Sequence, residues 1–539
     1  MLRRLSILVS LLFLSACNQA QSKVERPEPL PQDPFIQVYF NYNQAKDANY
    51  TEPYRNIERP GDNLEQVIIE TINSAQSTID VAVQEFRLPK IAQALAEKQK
   101  AGVNVRVILE NTYNDSWADY TSEEIENLDP RERDRYSENF ALIDINQDGK
   151  LSQAEISERD ALLILRNAGI PILDDTADGS KGSGLMHHKF VLVDGATVIV
   201  SSANFTPSGV HGDILQPETR GNANNIVRVN NVSLAQLFTE EFNLMWGDGV
   251  GGKFDSKFGL QKPYRPAKKV IIGDTIATVQ FSPTSPSQPW ENSSNGLIGK
   301  TLKEATESIK LALFVFSEQP LANILATEKE ESVNIAALID PGFAFRHYSE
   351  GLDMLGVALA NNCQYETDNL PWEKPISTVG IPKISSGDKL HHKFAVIDNQ
   401  MVITGSHNWS QAANYNNDET VLVLKNPTVA AHFTREFDRL YTPAILGVPI
   451  AVQEKIQAQE KECSQITTPS STDTLGIGIN VNTASQEALE TLPGIGPKLA
   501  QSIIQARQEK PFTSLEDLQR VSGIGESTIK NLEGRVSWD

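Results

Sequence analysis

Basic side chains, cysteines and long apolar segments are all scarce in this chain of 539 residues. Lysine and arginine together number 48 against 69 aspartates and glutamates, so the formal net charge of −21 does not favour broad attraction to DNA or to anionic lipid. A local basic cleft remains compatible with that total. Three cysteines allow no more than one disulfide within the chain. Beyond the N-terminal residues, no segment has the length and composition of a membrane-spanning helix.

The chain does contain a short signature that occurs twice. HHKFVLVD begins at residue 187 and HHKFAVID at residue 391, and each is followed at the same distance by a small polar loop. Two His-x-Lys units predict one active site to which each half contributes an imidazole. Five positions repeat at a constant offset of 204, namely His187 and His391, Lys189 and Lys393, Asp194 and Asp398, Ser202 and Ser406, and Asn204 and Asn408.

The apolar run after each His-x-Lys unit predicts a strand that is buried on both faces. Alternate residues of a strand share a face, so each histidine points the same way as its lysine. Asp194-Gly195 is a strong hairpin signal and Asp398-Asn399 a weaker one, and each hairpin returns the polar loop to the side of the histidine. Lysine, serine and asparagine can bind phosphodiester oxygens, and imidazole can attack or donate a proton. One copy alone would be ordinary surface, whereas two matched copies favour catalysis.

The signatures resemble those of the phospholipase D superfamily, H-x-K-x4-D followed by G/S-S-x-N. The resemblance implies a two-step, metal-independent reaction. One histidine attacks phosphorus and forms a phosphohistidine, and the other protonates the leaving oxygen and then activates water or an alcohol. His187 is assigned the attack and His391 the acid–base role, because the family usually takes its nucleophile from the first half. The sequence alone leaves that order open.

The resemblance also implies roles for the other repeated residues. The lysines, serines and asparagines of both copies bind phosphate, and Asp194 and Asp398 join the catalytic set mainly to orient and hold the site. Family members commonly carry an acidic residue in the following strand that supports a catalytic histidine. Glu419 fits that role, whereas the matching place in the first half is interpreted as Asn225. Ser201 also stands where the second half has Gly405.

The repeat extends upstream of the signatures. STIDVAVQEF matches ESIKLALFVF, and GVNVRVILEN matches SVNIAALIDP, both at an offset of 230. Each pair is typical of strand, helix, strand, which predicts an α/β sandwich that is present twice and fused. With the family resemblance, the expected fold is two fused phospholipase D-like α/β sandwich halves, to which the resemblance of the C-terminal segments described below adds a small all-α helix-hairpin-helix domain. The predicted order is a signal peptide at 1–16, a tether at 17–35, the first half at 36–250, a connector at 251–278, the second half at 279–447, a linker at 448–478 and the C-terminal domain at 479–539.

The first half carries about 26 extra residues, an insert at about 120–160, because the offset falls from 230 to 204. Within it, DINQDGKLSQAE fits the calcium loop of EF-hands, and Gly149 permits its sharp turn. A structural Ca²⁺ is therefore expected, while catalysis by the histidine pair needs no cofactor. A degenerate loop, or one filled only at high calcium, is the alternative. The predicted ligands are Asp144, Asn146, Asp148, Lys150 through its carbonyl, and Glu155.

The N-terminus, MLRRLSILVSLLFLSAC, combines two arginines with an apolar run too short for a stable spanning helix. Leu14 to Cys17 resembles the lipobox of bacterial lipoproteins, which implies cleavage before Cys17 and its lipidation. A plain secretory signal is the alternative. The expected location is extracytoplasmic and lipid-anchored to a bacterial membrane, with PEPLPQDP as a tether. Cys363 and Cys463 could then pair in an oxidising compartment.

The C-terminal segments LETLPGIGPKLAQSIIQAR and SLEDLQRVSGIGESTIKNLE resemble a tandem helix-hairpin-helix domain, particularly those of bacterial competence DNA receptors. Glycine in such turns lets backbone N–H groups approach a phosphate closely. Six basic and eight acidic residues from Ile479 onward weigh against DNA binding, and similar domains can be structural or bind protein. The expected DNA-backbone contacts are Gly494, Gly496, Lys498, Gly523, Gly525 and Lys530.

These features together predict an extracytoplasmic phosphodiesterase. A nuclease acting on DNA is the first hypothesis, because the C-terminal domain would raise the local DNA concentration at the active site. Phospholipid hydrolysis or headgroup transfer is the second, and an exposed apolar rim beside the site would favour it. A non-catalytic receptor in DNA uptake is the third, although two complete His-x-Lys copies argue against it.

Overall fold

The computed structural model describes most of the chain. The described residues are 26–180, 184–366, 368–463, 479–484, 486, 489, 492, 495–521, 523–525, 528, 529, 532 and 536–538. The predicted signal peptide and Cys17 lie outside them. No helix within these ranges combines the length and the hydropathy needed to cross a bilayer.

The first half is a mixed sheet with helices on both sides. Its strands are β1 (Ile36–Phe40), β2 (Asn49–Thr51), β3 (Glu58–Pro60), β4 (Thr78–Val83), β5 (Asn104–Leu109), β6 (Ile172–Asp174), β7 (Lys189–Val193), β8 (Thr197–Ser201) and β9 (Asn225–Asn230). Its helices are α1 (Leu64–Asn73), α2 (Pro89–Lys100), α3 (Ser122–Glu126), α4 (Pro130–Ile143), α5 (Gln153–Arg159), α6 (Ala161–Asn167), α7 (Pro207–Val210) and α8 (Val232–Trp246). The main sheet has the order β1-β9-β8-β7-β4-β5-β6, and β2 pairs with β3 apart from it.

The second half repeats this arrangement. Its strands are β10 (Lys268–Ile272), β11 (Thr275–Phe281), β12 (Ser308–Leu313), β13 (Phe316–Ser317), β14 (Asn334–Ile339), β15 (Val379–Ile381), β16 (Lys393–Ile397), β17 (Met401–Gly405), β18 (Trp409–Ser410), β19 (Thr420–Lys425) and β20 (Ile445–Leu446). Its helices are α9 (Ser294–Leu302), α10 (Gln319–Glu330), α11 (Glu350–Met354), α12 (Gln411–Tyr415), α13 (Pro427–Tyr441) and α14 (Ile450–Glu462). The sheet order β10-β11-β19-β17-β16-β12-β14-β15-β20 contains that of the first half, with β10 and β20 added at the edges.

One long helix of each half, α8 in the first and α13 in the second, packs between the two sheets. Phe238 of α8 lies edge-on to Phe190 of β7 and to Phe281 of β11, with ring centroids 5.2 and 5.1 Å apart. Phe433 of α13 makes the equivalent contacts with β16 and β1, through Phe394 and Phe40, both at 5.1 Å. Each helix therefore buries apolar surface against both sheets, and one core joins the halves. The predicted pair of fused α/β sandwiches is confirmed.

Two predicted boundaries are wrong. The second half begins at Lys268 rather than 279, because β10 pairs with β11 and β11 pairs with β19. The predicted linker contains α14, which a disulfide between Cys363 and Cys463 joins to the second half, with Cα atoms 5.6 Å apart. The pairing that the sequence left open is thus present in the structure.

The described part of the predicted tether, 26–35, packs on both halves instead of extending freely. Arg26 donates a hydrogen bond to the Ala48 carbonyl in the first half, at 2.9 Å. On α13 of the second half, Arg435 donates to the Glu28 carbonyl at 2.8 Å. Any free tether must therefore end before residue 26.

The C-terminal domain has its own apolar core, which includes Val481, Ile503, Leu518 and Leu532. Its described elements are β21 (Ile479–Asn480), α15 (Pro497–Glu509) and β22 (Val536–Ser537). The two strands pair in parallel and bring the ends of the domain together. The predicted helical domain is therefore supplemented by one short strand pair.

Candidate active site

The two signatures lie on equivalent buried strands, β7 and β16, in the middle of the two sheets. Asp194 and Gly195 have φ of 52° and 59°, and Asp398 and Asn399 both have 52°. Two successive residues in the left-handed region are typical of the tight turns that match the twist of a hairpin. The hairpins return β8 and β17 alongside the motif strands, as the sequence predicted.

Short bridges between the halves place the two signatures together. Met186 pairs with Asp418, and Ala223 pairs with Leu390. The His187 N–H donates to the Asp418 carbonyl at 3.0 Å, and the His391 N–H donates to the Ala223 carbonyl at 3.1 Å. Each histidine is therefore held at its backbone by the opposite half.

The side chain behind each histidine also comes from the opposite half. His187 Nδ1 lies 2.7 Å from Glu419 Oε2, and His391 Nδ1 lies 3.0 Å from Asn224 Oδ1. The Asn224 amide nitrogen is already engaged, donating to the Gly209 carbonyl at 2.8 Å. Its oxygen must therefore face His391 as an acceptor, which fixes the proton on Nδ1 and leaves Nε2 toward the cleft.

Asn224, not Asn225, is the counterpart of Glu419, so the earlier alignment is off by one residue. Asn225 Oδ1 instead lies 3.1 Å from Nδ1 of His392, the second histidine of its signature. Thr420 Oγ1 makes the equivalent contact with His188 Nδ1 at 2.9 Å. Both second histidines are fully buried and belong to the core beneath the site.

Ser202 and Ser406 do not face a phosphate, contrary to their predicted role. Ser202 Oγ donates to Asn224 Oδ1 at 2.8 Å, and Ser406 Oγ donates to Glu419 Oε2 at 2.7 Å. A hydroxyl has one proton to donate, and both serines are buried. They position the residues behind the histidines.

Asp194 and Asp398 were predicted to join the catalytic set, mainly to orient and hold the site, but neither side chain lies at the cleft. Asp194 accepts hydrogen bonds from the backbone N–H groups of residues 76 to 78, at 2.7 to 2.9 Å. Asp398 accepts those of residues 306 to 308, all at 2.8 Å. Burial raises the pKa of both carboxyls, but these bonds together outweigh it and lower the pKa, that of Asp194 to about 2. Each aspartate fixes the turn before β4 or β12, about 16 Å along the motif strand from the lysine.

The lysines and asparagines of the signatures remain available to a substrate. Lys189 Nζ donates to the His187 carbonyl at 2.8 Å, and Lys393 Nζ donates to the His391 carbonyl at 2.7 Å. The side-chain oxygens of Asn204 and Asn408 are buried without a hydrogen-bond partner. Unsatisfied buried polar atoms are unusual in folded proteins and are consistent with a site that takes a polar ligand.

Burial and mutual repulsion shift the acid–base properties of the cleft. Burial, followed by the two ammonium groups, lowers the pKa of His187 and of His391 well below the usual value. Burial lowers the pKa of Lys189 to about 7, and burial with the charge of Lys189 lowers that of Lys393. An anionic phosphodiester would relieve this repulsion, so the cleft is suited to a phosphate that carries negative charge.

A buried lysine of the connector, Lys262, was missed by the sequence analysis. Its Nζ lies 2.5 Å from a carboxylate oxygen of Glu241 in the first half and 2.5 Å from one of Asp418 in the second. All three side chains are fully inaccessible to solvent. Asp418 precedes Glu419 and holds the His187 backbone, so Lys262 braces the junction behind the site. A lone lysine in the sequence carries no signal for this role.

The predicted calcium loop lies between α4 and α5, as expected for an EF-hand-like insert. Gly149 adopts φ of 77° at the turn. The carboxylates point into the loop, where Asp144 accepts the Gly149 N–H at 3.0 Å and Glu155 accepts the Ile145 N–H at 3.0 Å. Among the described residues, no three His, Cys, Asp or Glu side chains form a metal-binding cluster. Calcium binding at this loop stays a prediction.

The predicted DNA contacts are described only in part. Gly496 begins α15 and is exposed, and Gly523 adopts φ of 96° at the second turn. Gly525 is exposed two residues later. Gly494, Lys530 and the side chain of Lys498 lie outside the described residues.

Similarity to known proteins extends over both halves of the chain. The family described as "Cardiolipin synthase, PLD-like domain" matches residues 68–246 and 298–441, more than half of the chain. The chain belongs to the phospholipase D-like family. Both segments of this phospholipase D-like protein contain a complete His-x-Lys signature, and a helix-hairpin-helix motif matches residues 476–537.

Individual relatives cover smaller parts of the chain. The mitochondrial cardiolipin hydrolase of Mus musculus is 27% identical over 155 residues, which are 29% of this chain and 61% of that protein. ComE operon protein 1 of Bacillus subtilis is 38% identical over 63 residues, 12% of this chain and 31% of that protein. The phosphatidylserine synthase structure from Haemophilus influenzae covers 81% of this chain and 96% of its own at 12% identity, with a TM-score of 0.47.

Proposed function

We propose that this protein is a phosphodiesterase that cleaves DNA through a phosphohistidine intermediate. The observation that carries the proposal is the pair of imidazoles, each backed by the opposite half and each accompanied by a lysine. Nucleophile, acid and cationic phosphate ligands are then all supplied by one cleft. The family relationship supports phosphodiester chemistry in general, and the choice of DNA rests on further features.

In the proposed first step, His187 Nε2 attacks phosphorus while His391, protonated on both ring nitrogens, gives its Nε2 proton to the leaving oxygen as the P–O bond breaks. The Glu419 carboxylate, 2.7 Å from Nδ1, stabilises the positive charge that develops on His187. In the second step, His391 takes a proton from water, whose oxygen attacks phosphorus. The N–P bond breaks and returns its electron pair to His187. Lys189 and Lys393 stabilise the negative charge on the phosphoryl oxygens throughout.

Two features support DNA as the substrate. The helix-hairpin-helix domain would raise the DNA concentration near the cleft, through backbone N–H groups at exposed glycines such as Gly496 and Gly525. The second feature concerns the loops 110–120 and 341–349, which follow β5 and β14. Neither loop presents a mostly exposed large apolar side chain, so these two loops do not form the broad apolar rim that would favour a phospholipase.

The test uses the soluble chain 18–539 with fluorescent single-stranded and duplex DNA in excess EDTA, beside His391→Ala. Cleavage by the parent and none by the variant is the expected result. A folded parent that binds DNA without cleaving it would overturn the proposal in favour of a DNA receptor. A parent that neither binds nor cleaves DNA would overturn it as well.

Phospholipid is the second candidate, favoured by the relatives named cardiolipin hydrolase. The same chain is incubated with cardiolipin vesicles and with vesicles of a neutral phospholipid, again in EDTA. Release of phosphatidic acid without cleavage of DNA would replace the first proposal with this one.

We further propose that the protein is extracytoplasmic, anchored through lipid on Cys17, and stabilised by Ca²⁺ in the loop of residues 144–155. The disulfide between Cys363 and Cys463 supports an oxidising compartment. The anchor is tested by feeding cells a labelled fatty acid. The parent should become labelled and Cys17→Ser should not, whereas equal labelling of both would exclude Cys17 as the anchor.

A further inference from the structure

The residue directly after β4 in the first half differs in chemistry from the residue directly after β12 in the second half. Gln84 follows β4 and Phe314 follows β12, and both are held by the motif strands. The Gln84 N–H donates to the His188 carbonyl at 3.2 Å, and the Phe314 N–H donates to the His392 carbonyl at 2.8 Å. The two positions are therefore structurally equivalent, although one side chain is a polar amide and the other an aromatic ring.

On the His187 side, the amide joins two phosphate ligands. Gln84 Oε1 accepts from Asn204 Nδ2 at 3.2 Å and lies 3.5 Å from Lys189 Nζ. On the His391 side, the Phe314 ring centroid lies 4.8 Å from that of His391, and Lys393 Nζ lies 4.9 Å from the same ring. A partly exposed aromatic surface thus adjoins both the acid and a phosphate ligand.

A second ring extends this surface. Phe343 packs edge-to-face on Phe314 with centroids 4.7 Å apart. Its loop is anchored by Asp340, which accepts the Gly342 N–H and the Leu390 N–H, both at 2.8 Å. Leu390 immediately precedes His391, so the two rings are fixed relative to the catalytic histidine before any substrate arrives.

The first half has an aromatic residue at the matching place, but a charged side chain of its insert lies against that ring. Tyr113 corresponds to Phe343 at the offset of 230. Arg135 of α4 lies 4.6 Å from the centroid of the Tyr113 ring and forms an ion pair with Glu85 at 2.9 Å. Within the described residues, the second half has no helix equivalent to α4. The His391 side therefore combines two adjoining aromatic rings, whereas the His187 side places Gln84 and an arginine-paired tyrosine at the matching positions.

We propose that Phe314 and Phe343 form a stacking platform for the nucleobase on the leaving-group side of the scissile phosphate. This inference rests on the proposed nuclease function. A rigid aromatic ring beside a phosphate-binding lysine, supported edge-to-face by a second ring, matches a planar base joined by one sugar to that phosphate. A base inside a duplex is stacked on its neighbours and cannot lie on such a platform, so single-stranded DNA is the better substrate.

The test uses short single-stranded oligonucleotides with one cleavable phosphodiester, the other linkages being methylphosphonates. One oligonucleotide carries all its bases. A second lacks the base on one side of the cleavable linkage, and a third lacks the base on the other side. Removing the base on the leaving-group side should lower kcat/KM about tenfold, which is the effect expected from one stacked base. Removing the base on the other side should change kcat/KM little.

Variants then assign the effect to the platform. In Phe343→Leu the ratio of kcat/KM between the complete and the sensitive abasic oligonucleotide should fall to near one. Phe343→Tyr should retain the parent ratio, because it keeps the aromatic ring. The ratio compares two substrates on the same variant, so a partly misfolded preparation would not change it. Tyr113→Leu, the matched change in the first half, should also retain it.

The possible failures are distinguishable. A parent that cleaves none of the oligonucleotides would overturn the nuclease function and the platform with it. A parent that cleaves all three equally would overturn the platform alone. An unchanged ratio in Phe343→Leu would exclude Phe343 as the stacking residue and overturn the proposal.

Discussion

His187 and His391 occupy equivalent positions in the two halves, yet the side chains behind them differ in charge. A carboxylate lies behind His187, and the neutral amide of Asn224 lies behind His391. A carboxylate stabilises an imidazole that gains positive charge, as a nucleophile does on attacking phosphorus. A neutral amide gives no such stabilisation, so His391 in its protonated form is the stronger acid. An internal repeat can thus keep one geometry while dividing two chemical roles between its halves.

The largest expected effect comes from removing either imidazole. His187→Ala and His391→Ala should each lower kcat on DNA at least about 10⁴-fold, because the residues act as one unit. Steady-state cleavage of a fluorescent oligonucleotide measures this, with circular dichroism as the control for folding. Substantial turnover by either variant would contradict a site shared between the halves.

The carboxylate behind His187 should be the next most important group. Glu419→Gln keeps the shape and the acceptor for Nδ1 but removes the charge, and kcat should fall about 10²- to 10⁴-fold. Asn224→Ala is the comparison on the other side of the cleft and should cost less, because no charge is lost there. Equal losses in the two variants would remove the basis for assigning the nucleophile to His187.

Converting the neutral partner into a charged one should shift the pH dependence. His391 must be protonated to act as the acid, and burial with the lysines lowers its pKa. As the pH rises, kcat/KM of the parent should therefore begin to fall at a pH below neutral. Asn224→Asp places a carboxylate beside His391, raises its pKa and should move this decline upward by about one pH unit or more. Overlapping pH–rate profiles of parent and variant would argue against His391 as the acid.

Much of this arrangement could be predicted from the sequence, because it repeats locally. The motif strands, the hairpin turns and the closing helices follow from short apolar runs and turn residues near one another in the chain. The roles of Ser202 and Ser406 could not, since they depend on which atom each hydroxyl meets across the sheet. Asn224 could have been found by aligning the apolar residues of β9 with those of β19, Val227 with Leu422. The contacts of Lys262 and Phe343 join distant segments and leave no local pattern.

The insert is a further difference between the halves, and its expected effect is the smallest. If the loop of residues 144–155 binds Ca²⁺, saturating calcium should raise Tm by about 5 °C, because a ligand that binds only the folded state stabilises it. Asp144→Ala should abolish the rise, with differential scanning fluorimetry as the measurement and Mg²⁺ as the control ion. No calcium-dependent rise in the parent would indicate a loop stabilised by its own hydrogen bonds.

The division of roles between the histidines is tested most directly by trapping the covalent intermediate. A p-nitrophenyl phosphodiester of thymidine has a leaving group that departs without an acid, so His391→Ala should still be phosphorylated but should release the product slowly. Rapid quenching and mass spectrometry of the digested chain should then place the phosphoryl adduct on His187. His187→Ala should show no adduct. An adduct on His391 in the parent or in His187→Ala would reverse the assignment.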